Sequence, residues 1–373
     1  MRKTTIFEEQ LIDYGSTTVQ TKIGFKDFWI TAIRMSVFTD KQDGTSPAAN
    51  QDALMRSLTT MLLADGNRKY AAFNGPDFRA PAWLIRQRQR GLYRPPDFET
   101  GTQRFPWTLL LNFSPEPIVN GEEQLYDPRC AIKPSSGLVL NLAFGAAGST
   151  TTHGSLGSNI AMESTTYIRL QYHGIVLEPG DPEPTMYPNW YTTQYIPDAT
   201  HSALRGLLPF DTNMYVRRSG LVFVTGSTTN YADIRNDGYA VESGSGTQAI
   251  SEVGLVTAGQ SDPIQWKVWD FCRRSQHGKG ILIADDNAGV PGASAAYWAS
   301  VISSAYNPGV GHFDYVREGK LMSAAYPNGV DPTWGINLFN KQSTALNMGF
   351  TVDNLNSNTT QVQICHEAYQ KYN

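Results

Sequence analysis

The sequence predicts an all-β protein built as two tandem β-sandwiches, with short helices and long loops between the strands. Three observations predict this. Only 17% of the 373 residues are charged, while 33 glycines and 21 prolines separate short segments rich in aromatic residues, which make up 11% of the chain. Frequent turns between aromatic and β-branched runs are the composition of many short strands. The length suffices for two ordinary cores. One strand-like pattern also occurs twice, as Thr165-Thr166-Tyr167-Ile168-Arg169-Leu170-Gln171-Tyr172-His173 and as Thr359-Thr360-Gln361-Val362-Gln363-Ile364-Cys365-His366-Glu367.

In both copies an apolar/polar alternation follows the paired threonines. It puts Ile168, Leu170 and Tyr172 on one face, matched by Val362, Ile364 and His366. Turn-forming Asn, Ser and Gly precede each copy. Pro179-Gly180-Asp181-Pro182-Glu183-Pro184 follows the first, and its fixed φ angles and missing N–H donors cannot continue a sheet. Each copy is therefore expected to close a domain. The division predicted is an N-terminal arm over 1–24, a first sandwich over 25–180, a linker over 181–188 and a second sandwich over 189–373.

Residues 1–24 carry sparse apolar anchors (Ile6, Phe7, Leu11, Ile12), which suits an arm docking on something else. The run from Asp27 to Thr39 is dense in β-branched and aromatic residues and reads as the first core strand, stopping at Asp40-Lys41-Gln42-Asp43-Gly44. Ser46 and Pro47 then offer a helix start, and Leu54, Leu58, Met61 and Leu62 recur at helical spacing up to Asp65-Gly66. In Trp83 to Arg90, an extended chain would project Arg86, Arg88 and Arg90 from one face. Further strands are expected at 105–113 and 137–144. In the second half they fall at 214–224 (broken at Ser219-Gly220), 264–271, 280–284, 313–316, 335–339 and 346–352, with a helix over 293–304.

The formal net charge of −4 provides no global basic field for holding nucleic acid, so sequence-specific or genome-wrapping binding is not expected. Cys130, Cys272 and Cys365 are odd in number and far apart, which suggests buried thiols. Met1-Arg2-Lys3 is followed by no apolar h-region, and no stretch reaches eighteen apolar residues, so neither a signal peptide nor a membrane span is expected. The six histidines show no metal-ligand spacing, and Ser155 beside His153 lies in a Gly/Ser loop. Asp285-Asp286-Asn287 is the best carboxylate pair, and its structural reading is a turn. The sequence thus offers no catalytic, cofactor or metal constellation, and no enzyme is expected.

The two terminal strands, Thr165 to Val176 and Thr359 to Tyr372, each carry an aromatic-rich tail: Tyr187-Pro188-Asn189-Trp190-Tyr191 after the first, Tyr369 and Tyr372 within the second. With the tandem sandwiches and the long Gly/Ser/Thr excursions, the chain resembles the double jelly-roll major capsid proteins of tailless icosahedral viruses. That lineage includes membrane-containing bacteriophages and the adenovirus hexon. The resemblance implies a virion capsid protein, assembled in the host cytoplasm, whose homotrimer places six jelly rolls in a pseudo-hexagonal tile. Its implied partners are neighbouring capsomers, penton and minor capsid proteins, and an internal lipid membrane. It brings no catalytic residues. Arg2 and Lys3 are then candidates for the inner contact, and Arg86, Arg88 and Arg90 for a subunit interface. Two other readings stay open: a carbohydrate-binding or glycan-processing β-sandwich, and a phage tail or receptor-binding protein.

Overall fold

The computed structural model of the chain describes residues 1–13, 19–22, 27–49, 58–73, 80–81, 84–85, 101–144, 157–196, 206–224, 250–257, 264–267, 310–316, 330–339, 346–352 and 361–372. In the first half the strands are β1 (Arg2–Asp13), β2 (Val19–Lys22), β3 (Trp29–Ala49), β4 (Leu58–Asp65), β5 (Arg68–Phe73), β6 (Gly101–Asn112), β7 (Ile118–Val119), β8 (Glu122–Glu123), β9 (Leu138–Phe144) and β10 (Gly157–Val176). In the second they are β11 (Met186–Pro188), β12 (Trp190–Tyr195), β13 (Gly206–Pro209), β14 (Tyr215–Val224), β15 (Ile250–Thr257), β16 (Ile264–Lys267), β17 (Val310–Asp314), β18 (Val330–Asp331), β19 (Gly335–Asn337), β20 (Leu346–Val352) and β21 (Gln361–Lys371). Among the described residues, helical backbone occurs only at 80–81 and 84–85.

Each half is a jelly roll, and the two have one topology. In the first, β1-β10-β3-β6 form one sheet and β2-β9-β4-β5 the other. In the second, β12-β21-β14-β17 and β13-β20-β15-β16 repeat that order strand for strand. The twice-written pattern falls on β10 and β21, the last strand of each roll. Alternation decides which side chains enter each core. Ile168, Leu170 and Tyr172 enter the first core, while Val362 and Ile364 enter the second. Ile168 faces Val37 on the neighbouring strand, and Val362 faces Phe223.

The two rolls are not separate sandwiches. Trp190 and Tyr191 pair in parallel with Ala71 and Ala72, so the inner sheet of the first roll continues into the second.

Several expectations are corrected. Residues 1–24 are not a free arm, because all of Arg2–Asp13 pairs with β10 and Val19–Lys22 pairs with β9. An edge strand needs few apolar anchors, since only one face meets the core, and Ile6 supplies one. Residues 58–65 form a strand rather than the end of a helix. A register irregularity between Leu58 and Thr60 makes Leu58, Met61 and Leu63 the buried set, so a bulged strand mimics helical spacing. The first core strand runs past Gly44 to Ala49, and Pro47 sits where the register with β10 is interrupted, as proline in a sheet requires. Within the expected linker, Met186–Pro188 pairs with the end of β21. The strand over 215–224 is unbroken at Ser219-Gly220. Leu84 and Ile85 are helical and buried, not extended. The helix expected over 293–304, the strand over 280–284 and the Asp285-Asp286 pair lie outside the described residues.

Candidate functional site

The most heavily built polar site in the described chain is the seam where β14 and β21 of the second roll meet the first. One face of these strands lines the second core. The other, with Val222, Cys365 and Tyr369, joins the apolar core of the first roll, together with Tyr215 and Trp190. Trp190 is fully buried, edge-on to Phe113 at 6.1 Å and tilted on Phe73 at 6.4 Å. Gly220 allows the close approach, because a Cβ there would stand 3.1 Å from Leu84 Cβ.

A charged cluster crosses this buried surface. Arg218 Nη1 donates to both oxygens of Glu367 at 3.0 Å, its Nε donates to Asp314 Oδ2 at 3.1 Å, and Nη1 also reaches the carbonyl of Pro115 in the first roll at 3.3 Å. Tyr369 donates to Glu367 Oε1 at 2.6 Å. Burial alone would lower the Arg218 pKa, but Glu367 and Asp314 reverse that and raise it, so the guanidinium stays charged. Arg217, the bulged residue opposite β21, is shifted down by burial and by the charge of Arg218, against the pull of Asp314 at 3.5 Å.

The loop that offers Pro115 is itself braced. Ser114 Oγ donates to Asp127 Oδ2 at 2.5 Å, and Arg129 grips Asp127 through Nε at 3.0 Å and Nη2 at 2.7 Å while its Nη1 reaches Glu116 at 3.1 Å. Burial would raise the Asp127 pKa, yet the hydrogen bonds from Arg129 and Ser114 together hold it below the ordinary carboxylate value.

The C-terminal strand closes the seam from the other side. Tyr372 Oη donates to the Ala131 carbonyl at 2.8 Å and accepts from the Lys133 N–H at 3.0 Å. Its ring lies edge-on to Trp29 at 5.6 Å and beneath the Arg68 guanidinium at 5.2 Å. The Met1 ammonium meets Asp181 at 2.7 Å and Glu178 at 3.3 Å, which ties the start of the chain to the connection between the rolls.

Of the residues singled out from sequence, Arg2 and Lys3 are exposed at the start of β1, with the Lys3 ammonium over the Tyr126 ring at 5.3 Å. Arg86, Arg88 and Arg90 lie outside the described residues, directly after the buried Leu84 and Ile85. Sequence reading missed the Arg218–Glu367 pair. Its signal was charged residues in the middle of two strands whose neighbours on both sides are buried.

It also missed Ser219 and His366, whose Oγ and Nδ1 are 2.7 Å apart, with Tyr315 Oη donating to Ser219 Oγ at 2.9 Å and Thr193 Oγ1 3.1 Å from His366 Nε2. A serine beside a histidine is the geometry of an activated nucleophile. Here Ser219 is 0% exposed and His366 2%, so a substrate has no route to them. Burial pushes the His366 pKa down to about 3, and the neutral ring serves as a hydrogen-bonding core residue. Among the described residues no His, Cys, Asp and Glu cluster suits a metal ion.

Strand order and seam together define a double jelly roll. No family model matches the sequence, and no curated protein matches it either. Solved structures do. The crystal structure of the STIV MCP, a viral major capsid protein, superposes with a TM-score of 0.61 at 12% identity, covering 99% of this chain and 97% of that one. The atomic structure of Sulfolobus Turreted Icosahedral Virus gives 0.62 at 12% identity over 99% and 91%. The quasi-atomic PBCV-1 virus capsid gives 0.52 at 13% over 99% and 95%. At such identities the likeness is one of fold, and it spans both rolls.

Proposed function

We propose that the chain is the major capsid protein of an icosahedral virus, a structural protein without catalytic activity whose homotrimer forms a pseudo-hexagonal capsomer. The observation that carries this reading is the welding of two jelly rolls of identical strand order through a buried seam. A closed trimer of a twice-repeated chain offers six similar edges, which pack against six neighbours without six different proteins. The similarity to capsid proteins of icosahedral viruses over nearly the whole chain supports it. The reading places the protein in the virion, assembled in the host cytoplasm, among neighbouring capsomers, penton and minor capsid proteins and over an internal membrane.

Within this reading the first roll comprises β1 to β10, and the second begins with the strand at Met186. The exposed Arg2 and Lys3 remain candidates for an inner acidic surface, where each basic residue contributes about 1 kcal/mol. Arg86, Arg88 and Arg90 remain candidates for a subunit interface, where paired guanidinium–carboxylate bonds fix register. The described Trp29 and Trp190 are buried in cores, and Trp334 packs half-buried against the first one, so none of these three stands fully open to a sugar ring. Native mass measurement and electron microscopy of the purified protein test the proposal. Trimers and lattice fragments are expected, and a stable monomer at micromolar concentration at every salt would refute it.

A further inference from the structure

We propose that residues 113–129 form an acid-released strap, which bridges the two rolls at neutral pH and lifts from them locally when His173 takes up a proton. The proposal does not depend on the capsid reading.

The strap leaves the end of β6 and roofs one position that occurs in both rolls. Counted from the matched Ile168 and Val362, His173 on β10 corresponds to Glu367 on β21, the first opposite Ala32 and the second opposite Arg218. A register irregularity follows at the same place in each roll, with Thr31 and Arg217 as the bulged residues. Over the second roll the strap offers the Ser114 carbonyl to Tyr369 Oη at 3.4 Å and the Pro115 carbonyl to Arg218 Nη1 at 3.3 Å. Over the first, Thr31 Oγ1 donates to the Leu125 carbonyl at 2.6 Å and Glu123 meets Arg34 at 3.5 Å. The Tyr126 hydroxyl lies 2.7 Å from Thr5 Oγ1 and 3.2 Å from His173 Nδ1. Among the described strands β7 and β8 pair only with each other, so side-chain bonds hold the hairpin down. A segment held in that way opens at lower cost than a core strand.

His173 is buried, and its surroundings suit a neutral ring. Nδ1 sits between the hydroxyls of Thr5, at 3.3 Å, and Tyr126, either of which can donate to it, while Nε2 is buried with no partner. A further proton turns Nδ1 from acceptor to donor and leaves a charged ring whose Nε2–H has no acceptor, the costly case for a buried polar group. The charged groups on the elements around it are Lys3 and Glu9 on β1, Arg34 on β3, and Glu122 and Glu123 on the strap. Arg34 is the one whose charge reaches the ring, and it opposes protonation. Glu123 is engaged by Arg34, Glu9 by Arg169, and the Lys3 ammonium lies over the Tyr126 ring. Farther along the strap, Glu116 and Asp127 are engaged by Arg129. Burial, with Arg34 adding to it, lowers the ring to about 4 from an ordinary 6.5, so the closed strap sheds the proton that the opened strap binds. The hold of the strap is therefore complete above pH 6.5 and is lost as pH falls toward 4.

Hydrogen exchange of the full chain at pH 7 and pH 5, followed by mass spectrometry and expressed as protection relative to an unstructured amide, tests this. Peptides covering 113–129 are expected to lose protection about twentyfold between the two, the ratio for a group moving between 6.5 and about 4, while β20 keeps its protection. In His173→Gln, which cannot take the charge, the strap is expected to show the same protection at both pH values. Equal strap protection at pH 7 and pH 5 in the parent overturns the proposal, and so does a loss shared equally by β20, which is global unfolding. A glutamine variant that keeps the pH dependence of the parent assigns release to another group and overturns it as well. Should that variant not fold, the comparison of strap with β20 in the parent decides alone.

Discussion

Arg218 and Glu367 stand opposite each other on adjacent strands, with both carboxylate oxygens 3.0 Å from one guanidinium nitrogen and Glu367 fully removed from water. Removing the charge of Glu367 leaves the buried Arg218 guanidinium with Asp314 as its remaining carboxylate. Glu367→Gln is expected to cost about 3 kcal/mol, the lower end for a buried pair broken from one side. Tyr369→Phe, which removes the hydroxyl that donates to that carboxylate and lies 3.4 Å from the Ser114 carbonyl, is expected to cost about 1.5–3 kcal/mol. Urea denaturation checks both, and a Glu367→Gln loss below that of Tyr369→Phe would show that the pair does not organise the seam.

The approach of Leu84 to Gly220 makes a second, independent test of the seam. Gly220→Val places methyl groups where the first roll already packs at 3.1 Å, and such overpacking costs about 1–3 kcal/mol. Denaturant midpoints should fall in the order parent, Gly220→Ala, Gly220→Val. A valine variant as stable as the parent would mean that the rolls can slide apart at this point without penalty.

The same glycine shows what sequence could and could not convey. Read locally, Ser219-Gly220 looks like a strand break; the reason for glycine is a neighbour more than a hundred residues away, which no local pattern records. The strands with clean alternation, β10 and β21 above all, were legible because one face of each meets a core of its own roll. On β21 the opposite face is buried as well, and Cys365, Glu367 and Tyr369 there gave no hint that the partner surface belongs to the first half. Leu58, Met61 and Leu62 misled for another reason, since a bulge puts the buried Leu58 and Met61 three residues apart, after which Leu63 and not Leu62 is the buried one. The candidate site was the least legible part, because a seam between domains is made by residues that each look like ordinary core or loop.

Two buried histidines set the acid limit of the fold. Burial lowers His173 to about 4, with the nearby Arg34 adding to the effect, and lowers His366 to about 3, both from an ordinary 6.5. A group whose folded pKa is depressed binds more protons when unfolded, so its stabilising contribution is complete above 6.5 and is lost as pH falls toward the folded values. Asp127, held below the ordinary carboxylate value, acts in the same direction at lower pH. Stability is expected to be level above pH 7 and to drop by several kcal/mol by pH 4, at about 1.4 kcal/mol for each tenfold difference in proton affinity. Urea titrations across pH 4–8 check this, and His173→Gln should flatten the upper part of the slope. A pH-independent midpoint would refute it.

The first strand separates the arm expected from sequence from the strand found. An arm can be removed without harm to the fold, whereas β1 pairs along its whole length with β10 and its Ile6 packs on the first core. Thr5 also anchors Tyr126 at 2.7 Å, and Tyr126 contacts His173 at 3.2 Å, so the strand holds the loop that caps the lower end of the sheet. Deleting residues 2–13 would turn β10 into an edge with a long row of unpaired backbone groups, the configuration that promotes aggregation. The truncated chain is expected to lose the cooperative melting of the first roll and to aggregate at concentrations where the parent stays dispersed. Calorimetry and light scattering measure the two effects. A truncated chain that melts like the parent would show that β1 is an arm laid on the sheet and not part of the fold.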